Sequence, residues 1–270
     1  MIELGKDSVE THLNLFIDKL FSLPEVNCVK IKKMEIRRDN RNGLTKSAVD
    51  ESYHDRYSDI DLCAVVQLAA EDKAVQDAYV KHIEHWVFSL EMMLGVCFVT
   101  ENHLCRMVCK NGMRYDLKFE FLVQENAPAI ALKPTYPQNS NVNWPIENIY
   151  RFWFVQIQAL GKLYRDDFLI SSHLANSNIN ETLVQQMVLR DLDYHTNHHR
   201  YGHKEELSYL KYTGQCPYQT GNLIFDNIAD KIYAAALAYD ELAASFYHDY
   251  EPKSKDFFAI WEAYERQGNR

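Results

Sequence analysis

The spacing of apolar residues predicts a mixture of helices and strands over the first half of the chain. Apolar side chains recur every three to four residues over 8–22 and 71–94, which predicts two amphipathic helices. Runs rich in branched and aromatic residues predict strands over 26–37, 60–68 and 96–100. We therefore predict that the first half is a small mixed α/β unit.

The clearest strand is the segment 113–121, where apolar and charged residues alternate. One face holds Tyr115, Leu117, Phe119 and Phe121, and the other holds Arg114, Asp116, Lys118 and Glu120. The preceding Asn111-Gly112 pair predicts a hairpin whose incoming strand is 104–109. A ladder of opposite charges on a solvated sheet face is the plainer interpretation of this alternation. Asp116 is in either case expected in mid-strand on the polar face.

A second acidic element lies where a polar loop meets the strand at 60–68. Asp59 and Asp61 are two residues apart, so on a strand they project from the same face. Adjacent carboxylates repel each other unless a cation lies between them, and Mg²⁺ prefers such hard oxygen ligands. The alternative is an ordinary turn that is stabilised by the aspartate side chains. With Asp116 on a later strand, the pair points to a three-carboxylate metal site.

Prolines separate the two halves of the chain. Four of the seven prolines fall within its middle part, which predicts a linker at 127–145. Beyond the linker the apolar spacing is helical throughout. We therefore predict an α+β fold, with a small mixed-sheet domain over 1–126 and an all-α helical bundle over 146–270.

Two segments resemble the nucleotidyltransferase superfamily of the DNA polymerase beta type. They are Ser58-Asp59-Ile60-Asp61-Leu62 and the later Tyr115-Asp116-Leu117. The likeness is strongest to the small lincosamide and aminoglycoside nucleotidyltransferases, which modify antibiotics and pair an N-terminal nucleotidyltransferase domain with a C-terminal helical domain. The segment Arg151-Phe152-Trp153-Phe154 is also similar to the opening of that helical domain.

The resemblance implies a nucleotidyltransferase that depends on Mg²⁺. Asp59, Asp61 and Asp116 would be the metal ligands and catalytic carboxylates, and ATP or another nucleoside triphosphate would be the co-substrate. A nucleoside monophosphate, AMP where the donor is ATP, would pass to a hydroxyl of a small molecule such as an antibiotic. The protein would mainly position these groups, because paired metals neutralise charge on the attacking and leaving oxygens.

The phosphate-binding loop departs from the pattern of this family. The family has Gly-Ser upstream of the paired aspartates, where the backbone and the hydroxyl cradle the phosphates. The matching place here is Thr45-Lys46-Ser47-Ala48. We take Lys46, Ser47 and Ser58 as the candidate nucleotide-binding residues. Because Lys46 replaces the glycine, the alternative is a catalytically degenerate relative that acts as a binding or regulatory module, like an antitoxin.

Composition and charge narrow the classes of partner. Of the 270 residues, 47% are apolar and 25% are charged, which is typical of a globular protein, and the net charge of -9 argues against nucleic acid as a partner. The sequence has no apolar run long enough to cross a membrane and no secretion signal. The six cysteines include no C-x-x-C, so we expect a cytoplasmic protein. The sequence leaves open whether the chain forms a homodimer.

Three further groups of polar residues have no single interpretation. Asp191 precedes a histidine cluster at a predicted helix end, which could bind a metal, border the acceptor pocket or simply be a solvated helix end, the interpretation we favour. The cluster comprises His195, His198, His199 and His203. The basic strand with Lys30, Lys32 and Lys33 could face a triphosphate or nucleic acid, or form the solvated face of an edge strand, which is the more common case. Glu120 and Glu147 are additional carboxylates without an assigned role.

Overall fold

The chain divides into two compact units, Met1–Pro137 and Gln138–Arg270. The division falls inside the predicted linker at 127–145. The computed structural model describes residues 6–23, 25–31, 34–39, 43–45, 60–69, 72–99, 102–124, 144–196 and 206–268.

The first unit contains a mixed β-sheet and two helices, α1 and α2. The helices are α1 (Lys6–Phe21) and α2 (Lys73–Phe88). The strands are β1 (Val26–Ile31), β2 (Met34–Asp39), β3 (Gly43–Thr45), β4 (Ile60–Leu68), β5 (Met93–Val99), β6 (Leu104–Cys109) and β7 (Arg114–Val123). They follow the order β3-β2-β1-β4-β7-β6-β5. Only the β4–β7 pair is parallel among these strands, so the sheet is mixed.

Two of the predicted boundaries in this unit were wrong. The segment 26–37, which we expected to be one strand, is an antiparallel pair in which Ile31 lies opposite Met34. The second helix ends at Phe88 rather than at 94, because Ser89 caps it and the apolar residues that follow enter β5. Apolar periodicity does not distinguish the end of a helix from the start of a buried strand when the two are this close.

Aromatic packing fixes both helices on one face of the sheet. Phe16 of α1 stacks on Tyr115 of β7, with 4.6 Å between the ring centroids. Tyr79 of α2 meets the edges of Phe119 and Phe121 at 6.2 and 5.9 Å. These β7 aromatics are the apolar set predicted from the alternation, and Tyr115 and Phe119 are buried. The charged set therefore lies on the opposite face, as the alternation predicts.

The second unit is helical in all of its described elements. They are α3 (Ile146–Leu163), α4 (Phe168–Tyr194), a 3-10 helix (Ser208–Tyr212), α5 (Leu223–Ala243) and α6 (Ser254–Gly268). The core is aromatic: Phe152 of α3 stacks flat on Tyr239 of α5 at 3.6 Å between centroids, and Trp153 and Trp261 are fully buried. The structure thus shows the mixed α+β class.

Helix α4 is unusual because its buried positions are mostly polar. Its buried residues are Ser171, Ala175, Asn178, Thr182 and Gln185. Ser171 Oγ donates to Ala159 O at 2.8 Å, and Asn178 Nδ2 donates to Phe152 O at 3.3 Å, so both bind carbonyl groups of α3. Conversely, the apolar residues Met187 and Leu192 of this helix are exposed.

The structure can be compared with the sequence in two general respects, which are membrane-spanning helices and cysteines. No helix in the described part of the chain combines the length and apolar character that crossing a membrane requires. All six cysteines carry free thiols, and four of them are buried. Burial also raises the pKa of the Cys109 thiol to about 12, which makes it unreactive at neutral pH.

Candidate functional site

Two of the three predicted aspartates lie side by side on the polar face of the sheet. Asp61, near the start of β4, is the register partner of Asp116 on β7. In a parallel pair, register partners project from the same face and their strands lie about 4.8 Å apart. Asp61 is exposed, whereas only 19% of the Asp116 side chain is exposed. Two carboxylates remote in sequence are therefore neighbours here.

Asp116 also faces a cation that the sequence did not reveal. Arg106 of β6 is its register partner on the other side. Arg106 Nε lies 3.1 Å from both Asp116 Oδ1 and Oδ2, and 29% of the arginine side chain is exposed. A charge-assisted contact of this kind, only partly open to solvent, ties the Asp116 carboxylate to a side chain of β6.

The strand order fixes the sequence of charges across this row. Because β7 lies between β4 and β6, Asp116 has Asp61 on one side and Arg106 on the other. Across the three strands the side chains are therefore acidic at Asp61, acidic at Asp116 and basic at Arg106. Among the described residues no ion pair compensates Asp61, so a cation would be attracted to the Asp61 side of the row.

A second polar group lies further along the same face. Lys30 of β1 donates to Glu120 Oε2 of β7 at 2.9 Å, and this bond lowers the pKa of Glu120 and raises that of Lys30. Cys63 of β4 is the register partner of Lys30, and burial, together with Glu120, raises its pKa to about 11. Since β1 lies between β2 and β4, the interpretation of Lys30 as part of an edge strand was wrong.

The remaining predicted site residues lie outside the described residues. These are Asp59, Ser58, Ser47 and Lys46. Among the described residues there is no group of three or more His, Cys, Asp or Glu side chains that could hold a metal ion. The three-carboxylate set, which requires Asp59, therefore stays a prediction.

The histidine cluster is described only at its first member. Helix α4 ends at Tyr194, and His195 follows in a left-handed conformation with φ of 53°. Asp191 binds Arg190 at 2.9 Å and accepts from Thr196 Oγ1 at 3.1 Å. His195 thus lies at a helix end, and His198, His199 and His203 lie outside the described residues.

Comparison with known proteins leaves the family unassigned. No family model matches the chain, and no curated protein matches it either. The likeness to nucleotidyltransferases therefore rests on the residues quoted above.

Arg106 is a site residue that the sequence interpretation missed, although the predicted hairpin gave a partial signal for it. The predicted hairpin turns at Asn111-Gly112, and Cys109 N donates to Met113 O at 2.8 Å to close it. This bond leaves a three-residue loop at 110–112, and Arg106 is therefore opposite Asp116. The two-residue turn that Asn111-Gly112 predicts would instead place Met107 opposite Asp116. The turn thus indicates the strand that pairs with Asp116 but misses the partner by one residue.

Proposed function

We propose that this chain is a Mg²⁺-dependent nucleotidyltransferase that moves a nucleoside monophosphate to a hydroxyl of a small molecule, with ATP as donor and AMP as the group transferred. The observation that carries the proposal is the register pairing of Asp61 with Asp116 on a sheet face that neither α1 nor α2 covers. An active site that must admit a triphosphate and an acceptor requires a region that these helices leave uncovered.

The donor set fits a hard divalent cation. Asp61 and Asp116 supply carboxylate oxygens from adjacent strands, and one of the two side chains is exposed to solvent. Mg²⁺ is commonly held by one or two carboxylates together with substrate phosphates. Asp59, two residues before Asp61, is the third ligand expected from the sequence.

The proposed reaction is an in-line displacement at the α-phosphorus of the nucleotide. The acceptor oxygen bonds to the α-phosphorus, the bond to the bridging oxygen breaks, pyrophosphate leaves, and the hydroxyl proton passes to solvent or to a nearby carboxylate. When bound, Mg²⁺ would neutralise charge on the phosphate oxygens. Asp116 would orient the acceptor, while Lys46, Ser47 and Ser58 would contact the nucleotide.

Calorimetric titration with ATP tests this proposal. We expect ATP to bind only when Mg²⁺ is present and Asp61→Asn to weaken that binding sharply. The matched control is Asp77→Asn on α2, the same chemical change on the helix that packs against the opposite face. The assignment would be contradicted if ATP binds without Mg²⁺, or if the two variants lose the same amount of ATP affinity. Pyrophosphate release in the presence of a panel of hydroxylated antibiotics and metabolites then measures turnover.

A specific observation also favours the degenerate alternative. Arg106 already contacts both carboxylate oxygens of Asp116, so the fold supplies a protein cation for a carboxylate that would otherwise bind a metal. Together with Lys46 in place of the family's glycine, this suits a binding or regulatory module without turnover. If Mg-ATP fails to bind under every metal condition, this alternative is favoured over the enzyme.

A further inference from the structure

Arg106 and Asp61 approach Asp116 from opposite sides of one strand. A metal that bridges Asp61 and Asp116 would require the Asp116 carboxylate to present an oxygen towards β4. In the structure both oxygens instead lie 3.1 Å from Nε of Arg106, a residue of β6. The guanidinium group of Arg106 therefore contacts both oxygens of the carboxylate rather than one of them.

Electrostatics makes these two arrangements compete. Without a metal, Arg106 compensates one of the two neighbouring negative charges, which stabilises a pair that would otherwise repel. When a divalent cation is bound, the positive charge of Arg106 lies close to that of the metal ion. Because the side chains there are partly buried, the two positive charges repel each other. The attraction between Arg106 and Asp116 must therefore be overcome before the metal can use Asp116.

We propose that Arg106 is an exchangeable counter-ion for Asp116: it holds the carboxylate in the metal-free protein and releases it when the divalent ion binds. The inference rests on the proposed metal site. Arg106 is in this sense a positioning residue, which acts through Asp116 and sets the metal affinity of the aspartate pair.

Binding of Mn²⁺ alone, measured from the electron paramagnetic resonance signal of the free ion, tests the proposal without any turnover. We expect Arg106→Met to bind Mn²⁺ about tenfold more tightly than the wild-type protein, because a charge-assisted hydrogen bond no longer competes. Arg106→Lys keeps the charge and should stay close to wild type. Lys118→Met is the matched control, since it removes an exposed cation two residues from Asp116 on the same face.

The outcomes separate the two proposals. If wild type binds Mn²⁺ in a manner that Asp61→Asn abolishes, but Arg106→Met binds no more tightly, then the exchange is wrong and the metal site stands. If Arg106→Met binds Mn²⁺ and the wild type does not, the exchange is supported, because Arg106 then prevents metal binding altogether. If neither protein binds Mn²⁺, both proposals fall. An equal gain in Lys118→Met would show general repulsion rather than competition for Asp116, and would also overturn the exchange.

A nuclear magnetic resonance experiment observes the exchange directly in the wild-type protein and needs the variant only to assign one signal. The Arg106 Nε–H signal, assigned by its absence in Arg106→Met, should shift on titration with diamagnetic Mg²⁺ as its bond to Asp116 is lost. An Nε–H signal that stays unchanged when Mg²⁺ saturates the protein would overturn the proposal.

Discussion

Asp61 and Asp116 lie directly opposite each other on the two parallel strands at the centre of the sheet. Like charges placed opposite each other destabilise a sheet, so the arrangement is poorly explained by stability alone. We expect Asp61→Asn to raise the unfolding free energy of the metal-free protein by about 0.5 kcal/mol. Urea unfolding in a chelating buffer measures this change.

The same variant should lose the response to Mg²⁺. Because a ligand that binds only the folded state stabilises it, Mg²⁺ should raise the melting temperature of the wild type but not that of Asp61→Asn. Asp77→Asn is again the control and should respond as the wild type does. A variant that is less stable than wild type and still responds to Mg²⁺ would indicate a structural role for Asp61.

The sequence was informative where local chemistry decides the structure. The alternation after Asn111-Gly112 identified β7 and its two faces correctly, because side chains alternate strictly across a strand. The apolar run at 60–68 matched β4 at both ends. Both aspartates could therefore be assigned to strands before any coordinates were known.

Long-range pairing was beyond the reach of the sequence. Nothing in either segment indicates that β4 pairs with β7 in the register Asp61 to Asp116, since parallel register depends on packing between distant segments. Helix α4 shows the same limit, because its buried stripe is polar and two of its members, Ser171 and Asn178, donate to carbonyl groups of the distant α3. Local periodicity favours the apolar face as the buried one.

His12 should give the fold a dependence on pH near neutrality. Its Nδ1 lies 2.9 Å from the Tyr115 hydroxyl, and burial lowers its pKa below the usual 6.5. The unfolded chain therefore binds a proton more readily, so this contribution to stability is complete above about pH 6.5 and is lost as the pH falls towards the pKa of the folded state.

The measurement is the melting temperature of the wild type and of His12→Gln between about pH 7.5 and about pH 5.5. We expect the wild type to lose more stability over this interval than the variant, since glutamine keeps a polar group but does not titrate. Parallel curves for the two proteins would show that His12 does not contribute to the pH dependence.

Gln185 is a buried amide that should weaken the helical unit. Its side chain is fully buried on α4, and neither Nε2 nor Oε1 has a hydrogen-bond partner among the described residues. Replacement by an apolar side chain of similar shape removes this penalty, so Gln185→Met should stabilise the protein by about 1 kcal/mol in chemical unfolding. Asn178→Leu is the matched control on the same helix and should destabilise, because Asn178 does donate to Phe152 O. Destabilisation by both changes would mean that Gln185 is satisfied in solution.

Asp240 links two helices of the second unit through a single buried carboxylate. It lies on α5, and its oxygens accept from Ser254 N at 2.7 Å and Lys253 N at 3.2 Å, at the start of α6, as well as from the Tyr250 hydroxyl. A negative charge at a helix N-terminus is favourable, and the N–H groups there have no partner within their own helix. We expect Asp240→Ala to destabilise the protein by about 3 kcal/mol, since several charge-assisted bonds are lost together. Asp240→Asn should lose less stability, because the amide oxygen can still accept hydrogen bonds.

The adjacent Glu241, which is paired with Lys211 on the exposed side of α5, provides the control. Glu241→Ala should give a far smaller change in the free energy of urea unfolding. Equal effects at the two positions would mean that the buried carboxylate does not fix the start of α6.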